Sequence, residues 1–213
     1  MADYNNDDEQ LEALKQWWKE NGAAVVAGIV LGAAALFGWR FWQDYQVEQA
    51  QAASAVYAEM RVQGGDVDTL MAGAGMLRSD YARTPYAALA ALEAAAGLVE
   101  AGRLDDAEAQ LRWALESARQ PEVAELARLR LANVIMAQGR ASEVLELLQT
   151  ELPESYAGLV DELRGDAYRA QGDLDAARRA YDRALSSVGS RSEYLQLKRD
   201  DLGRAPAAEA AAS

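Results

Sequence analysis

The chain has 213 residues and a net charge of −13, with 34 acids against 21 bases and neither Cys nor His. Without Cys there are no disulfides, thiol nucleophiles or thiolate metal sites, and without His the commonest general base and metal ligand are missing. The abundance of Ala, Leu, Glu and Arg, with only four Pro, predicts a helical protein.

Residues 1–9 are polar and acidic and read as disordered. Leu11, Leu14, Trp17 and Trp18 then recur at helical spacing, as in an amphipathic helix at a membrane surface. Gly22–Trp39 follows, eighteen residues without a charged side chain. As a helix it would reach about 27 Å, close to the hydrocarbon thickness of a bilayer. Trp17 and Trp18 stand at one edge, Trp39 and Trp42 at the other, where indole rings meet lipid headgroups. A buried soluble helix would leave those Trp pairs unexplained. A cleaved signal peptide needs a basic start, and this one carries six acids against Lys15 and Lys19; a flat interfacial helix needs a polar face that is absent. One uncleaved transmembrane helix over 22–42 is expected, preceded by a short N-terminal segment over 1–21. Ala24, Gly28 and Gly32, four apart, form a small-residue face suited to contact with another membrane helix. Lys15 and Lys19 before the span, against Arg40 after it, favour a cytoplasmic N-terminus by a narrow margin.

Beyond Arg40 the chain carries 28 acids and 18 bases, a charge of −10, which disfavours nucleic acid and anionic lipid surfaces as partners of this part. No breaker appears between Trp42 and Gly64-Gly65, so the helix is expected to continue as a stalk to about Val62. Val47, Ala50, Ser54 and Tyr57 form its inward stripe. A second helix near Val67–Ser79 turns Val67, Leu70, Met71, Ala74 and Leu77 inward, completing a degenerate hairpin over 43–83.

From Thr84 the chain repeats. Thr84-Pro85 is a helix start, and helix pairs turn at Gly102, Gly139 and Gly172, spaced 37 and 33 residues apart. Periods near 34 mark tetratricopeptide-type arrays. Three repeats are expected over 84–189, with Gly165, Tyr168, Gly172, Ala177, Tyr181 and Ala184 as the fullest signature. Residues 190–202, with Tyr194, Leu195, Leu197 and Leu202, read as a capping helix, and 203–213 as a disordered Ala-rich tail. The expected fold is all-α: an N-terminal transmembrane helix followed by a tetratricopeptide-like repeat domain.

No phosphate-binding loop is present; Gly73-Ala74-Gly75 lacks the third Gly and the preceding strand. The carboxylate pairs Asp105-Asp106 and Asp161-Glu162 are read as solvated acids at helix starts. No catalytic residue, cofactor, metal or small molecule is expected, and the chain is read as a non-enzyme. Binding is expected on the concave face of the array, where first helices present Leu89, Leu92, Ala96 and Val99, then Leu126, Leu129, Asn133 and Met136, then Leu159, Glu162, Asp166 and Arg169. Such a groove grades from apolar to charged. It suits an unfolded segment or a partner helix; the alternative is that packing or the capping helix covers it.

The motif W-W-K-E-N-G-x-x-x-x-x-G-I-V-L-G at Trp17–Gly32 and G-W-R-F-W at Gly38–Trp42 resemble the YfgM family of bacterial inner-membrane proteins. So do P-Y-A-A-L-A-A-L-E at Pro85–Glu93 and L-R-G-D-A at Leu163–Ala167, before Gln171-Gly172-Asp173. The resemblance implies a single-pass protein with a cytoplasmic N-terminus and a periplasmic repeat domain. It also implies an accessory role at the Sec translocon, with a membrane-anchored periplasmic prolyl isomerase as partner and emerging secreted chains as clients. A scaffold for envelope complexes that binds no client is the other reading.

Overall fold

The computed structural model describes residues 4–63, 66–187 and 192–203. The expected turn at Gly64-Gly65, residues 190–191 of the capping helix and the tail from 204 onward lie outside these. Among the described residues there are nine α-helices and no strand: α1 (Tyr4–Val62), α2 (Val67–Asp80), α3 (Pro85–Glu100), α4 (Leu104–Ser117), α5 (Pro121–Ala137), α6 (Ala141–Leu147), α7 (Ala157–Gln171), α8 (Leu174–Ser187) and α9 (Ser192–Asp200). A short 3-10 turn, Glu154–Tyr156, precedes α7. Residues 4–9, expected to be disordered, belong to α1.

The chain divides into two units after Gln51. The first holds most of α1, whose apolar stretch is long enough to cross a membrane. Its large side chains, among them Ile29, Leu31, Leu36 and Phe37, are exposed, as a lipid-facing helix requires. Trp17 packs on Trp18 with ring centroids 6.5 Å apart, and Trp39 on Trp42 at 5.4 Å, all four residues remaining exposed.

The second unit begins with the last turns of α1. Here the inward residues are Ala53, Val56, Tyr57 and Met60; of the expected stripe Tyr57 belongs to this cluster, whereas Ala50 and Ser54 are only partly buried and Val47 is exposed. Tertiary contact sets the difference: Tyr57 packs against Tyr86 of α3 at 5.8 Å, and Met60 lies where a Cβ on Gly73 of α2 would stand 2.7 Å from its Cγ. Gly73, which weakens α2 by propensity, is what lets α2 approach α1 this closely.

Each following helix packs on its predecessor, and α5 also touches α3 on one side and α7 on the other, which is the pattern of stacked helical hairpins. All three hairpins turn the same way. Gly102, Gly139 and Gly172 have φ of +71°, +79° and +82°, a region where only Gly avoids a Cβ penalty. After each glycine the next amide reaches back to close the helix: Arg103 N–H donates to Leu98 O at 2.8 Å, Arg140 to Ile135 at 3.1 Å and Asp173 to Tyr168 at 3.0 Å. Seven residues before these glycines stand Ala95, Ala132 and Gly165; nine residues after stand Leu111, Leu148 and Tyr181. All six are buried, so each hairpin sets a small residue on its first helix and a large one on its second. Thr84 occupies the position before α3 with Pro85 as the first helical residue, but its hydroxyl donates to Tyr81 O at 2.8 Å instead of capping the helix.

The core is one large apolar cluster running from α3 to α7, flanked by a second between α1, α2 and α3 and a third joining α8 to α9. Leu195 and Leu202 are buried in the third with Tyr181 and Ala184.

Candidate protein-interaction groove

The first helices α3, α5 and α7 share one face of the array, and two clefts open along it. One, of about 330 Å³, lies between α3 and α5 and is lined mainly by Ala95, Ala96, Val99, Val134 and Ala137, with Glu100, Arg130 and Asn133 supplying polar groups. The other, of about 520 Å³, has Leu159, Glu162, Leu163 and Asp166 of α7 as its floor. Its walls are Leu126, Leu129, Arg130 and Asn133 from α5 and Tyr194 and Lys198 from α9. Arg130 and Asn133 belong to both, so the clefts adjoin.

Leu126, Leu129, Asn133, Leu159, Glu162 and Asp166 come together around the second cleft, while Ala96, Val99 and Asn133 come together at the first. Their accessibility differs sharply. Val99 is 43% exposed and Leu126 37%, whereas Leu92 is 3% exposed and Leu129 6%, both within the core. The position ten residues before each turning glycine therefore points into the packing between helices in the first two repeats. Leu89 and Met136 are half-buried against the same core, and neither lines a cleft. Arg169 is exposed, lies 3.7 Å from Asp201 and lines neither cleft.

At the charged end the acids are already engaged. Lys198 Nζ donates to Glu162 Oε1 at 2.9 Å and to Asp166 Oδ2 at 2.7 Å, while the Tyr181 hydroxyl donates to Asp166 Oδ1 at 2.7 Å. Lys198 also lies over the Tyr194 ring, 4.8 Å from its centroid. Burial by itself lowers the Lys198 pKa, but the bonds to Asp166 and Glu162 outweigh it and hold the ammonium above its ordinary value. Burial, followed by the Asp166 carboxylate, raises Tyr181 far above the usual phenol range.

The acids read as solvated helix starts are not so in α7. Asp161 is 9% exposed and accepts from Arg183 at 2.9 Å and 3.1 Å, and Glu162 holds Lys198. Both lie in the second turn of α7, where α8 and α9 reach them; no local spacing rule reports such partners. Arg130, Tyr194 and Lys198 were not singled out as groove residues by the sequence. The signal available for the last two was an aromatic and a cation four residues apart, one face of a helix.

In the first unit, Ala24 is exposed, and a Cβ built on Gly28 or Gly32 would meet nothing within 4 Å, so this face of α1 is open.

A family model described as a tetratricopeptide repeat-like domain matches residues 15–204. The chain is 35% identical over 206 residues to a protein of Escherichia coli strain K12 named ancillary SecYEG translocon subunit, covering 95% of this chain and 99% of that one. Proteins of the same name from Haemophilus influenzae and Neisseria gonorrhoeae are 32% and 31% identical, covering 93% and 95% of this chain and 97% and 100% of theirs. No solved structure matches the chain.

Proposed function

Because the chain belongs to the YfgM family of tetratricopeptide-like ancillary translocon subunits, we propose that it is a non-enzymatic interaction subunit of the SecYEG translocon. In this reading α1 anchors it in the bacterial inner membrane, with the N-terminus in the cytoplasm and the repeat domain in the periplasm. The open Ala24–Gly28–Gly32 face offers a contact for a translocon helix. The groove receives a polypeptide: a segment of a membrane-anchored periplasmic prolyl isomerase, or of a secreted chain as it emerges.

The observation that carries the groove reading is the exposure of Val99 and Leu126 beside two adjoining clefts on the face shared by the first helices. Apolar side chains at the rim of a cavity gain from burial against a partner, about 25 cal/mol for each Å² removed from water. A scaffold that binds no client is favoured by a different observation, namely that the acids of the second cleft are already paired within the chain.

The test places a photo-crosslinking residue at Val99 or Leu126 in the full-length chain in cells. Adducts with a prolyl isomerase or with secreted chains are expected at both positions. Leu126→Glu should reduce those at Val99 at least about tenfold, the loss of about 1.4 kcal/mol of binding, with the helical circular dichroism unchanged. Adducts with translocon subunits alone would favour the scaffold. Charge at Leu129 cannot serve here, since a buried charge at that position would unfold the domain.

A further inference from the structure

We infer that the second cleft recognises a basic segment of a partner polypeptide, a Lys or Arg one helical turn after an aromatic residue, and that α9 is a tethered occupant holding that place in the free protein. The inference rests on the groove reading above.

Three observations lead to it. First, α9 contributes to the cleft with a specific pair, Tyr194 and Lys198, of which Lys198 reaches the floor on α7. Second, Glu162 and Asp166 stand within hydrogen-bond reach of a single ammonium. Two carboxylates that close in a half-buried site repel each other without a cation, so any occupant that displaces Lys198 must bring a positive charge of its own. Third, α9 is a short helix whose apolar hold on the domain, Leu195 and Leu202, is against α8, whereas Tyr194 and Leu197 are exposed. The hold on the cleft floor is thus made through Lys198 and the hold on the array through α8, and the two can part. Charge complementarity extends beyond the cleft: the part of the chain after Arg40 carries −10, which draws basic segments toward it.

The energetic consequence is competition within one molecule. A tethered lysine acts at an effective concentration in the millimolar range, and the apparent affinity of a partner is reduced by the fraction of molecules in which the cleft is free. Adventitious contacts are screened out, and a segment that supplies both ring and cation replaces each contact that α9 gives up.

The experiment uses the full-length chain in detergent and two fluorescent helical peptides, one with Tyr and Lys four residues apart and one with Gln in place of that Lys. Lys198→Met keeps the apolar stem over Tyr194 and removes the charge. It should bind the Lys peptide about tenfold tighter than the unaltered chain and bind the Gln peptide more weakly than the Lys peptide. Glu162→Gln with Asp166→Asn should abolish the preference for Lys over Gln whether or not Lys198→Met folds. Equal binding of both peptides by all variants would overturn the inference and leave a generic apolar groove standing. If neither peptide binds any variant and the crosslinks at Val99 and Leu126 are also absent, the groove reading falls with it.

Discussion

Gly165 is small because Tyr181 is large. A Cβ at Gly165 would stand 2.5 Å from Cδ1 of a fully buried ring whose hydroxyl is tied to Asp166. Gly165→Ala is therefore expected to destabilise the domain by about 1–3 kcal/mol in urea unfolding, despite the better helix propensity of Ala. Gly73→Ala would set its Cβ 2.7 Å from Cγ and 3.1 Å from Cβ of the buried Met60, near the root of that side chain, and should likewise destabilise the domain, by about 1–3 kcal/mol. Glu108 carries a different residue-scale consequence. It accepts from Arg112 at 2.8 Å and Arg140 at 2.7 Å, and Glu143 bonds the same two arginines, closing a ring between α4 and α6. Burial works to raise the Glu108 pKa, but the arginine bonds prevail and hold it below the usual range. A lowered native value means that this stabilisation is fully present above the unfolded-state value, about 4.3, and is lost as pH falls through the native one. Glu108→Gln should accordingly flatten the loss of thermal stability between about pH 5 and pH 3.

At the scale of the element, the array depends on three identical turns. Each glycine is in the left-handed region and each following amide closes its helix with the same bond. Gly139→Ala should cost about 1–2 kcal/mol, read as a lower urea midpoint with an unchanged slope. The helix ends were legible from sequence because this conformation is a property of one residue and its two neighbours. The face a helix turns inward was less so. On α1 the inward residues are Ala53, Val56, Tyr57 and Met60, a choice made by Tyr86 and Gly73 on other helices. Ala-rich helices offer several shallow apolar faces of similar hydrophobicity, and packing partners decide among them.

For the whole molecule, the proposed topology puts the two sides of the membrane on either side of the α1 span. Since the chain has no Cys, a single Ala170→Cys substitution on the exposed face of α7 gives a clean reporter. It should react with a membrane-impermeant maleimide in spheroplasts before permeabilisation. Labelling only after permeabilisation would overturn the periplasmic placement and, with it, every proposed periplasmic partner.

The apolar length of the span, the Trp pairs beside it and the glycines that turn the hairpins were determined by the sequence alone, because each is a local matter of hydropathy or of backbone dihedral. The repeat spacing was too, since small and large residues recur in register about those glycines. The tertiary structure decided what is reachable. It buried Leu92 and Leu129, left Val99 and Leu126 open, and set Lys198 of α9 against Glu162 and Asp166 of α7. Those pairings join residues more than thirty apart in sequence, and exposure depends on which helices stack together. No single helix carries that information, because a helix presents its faces and only its neighbours close them.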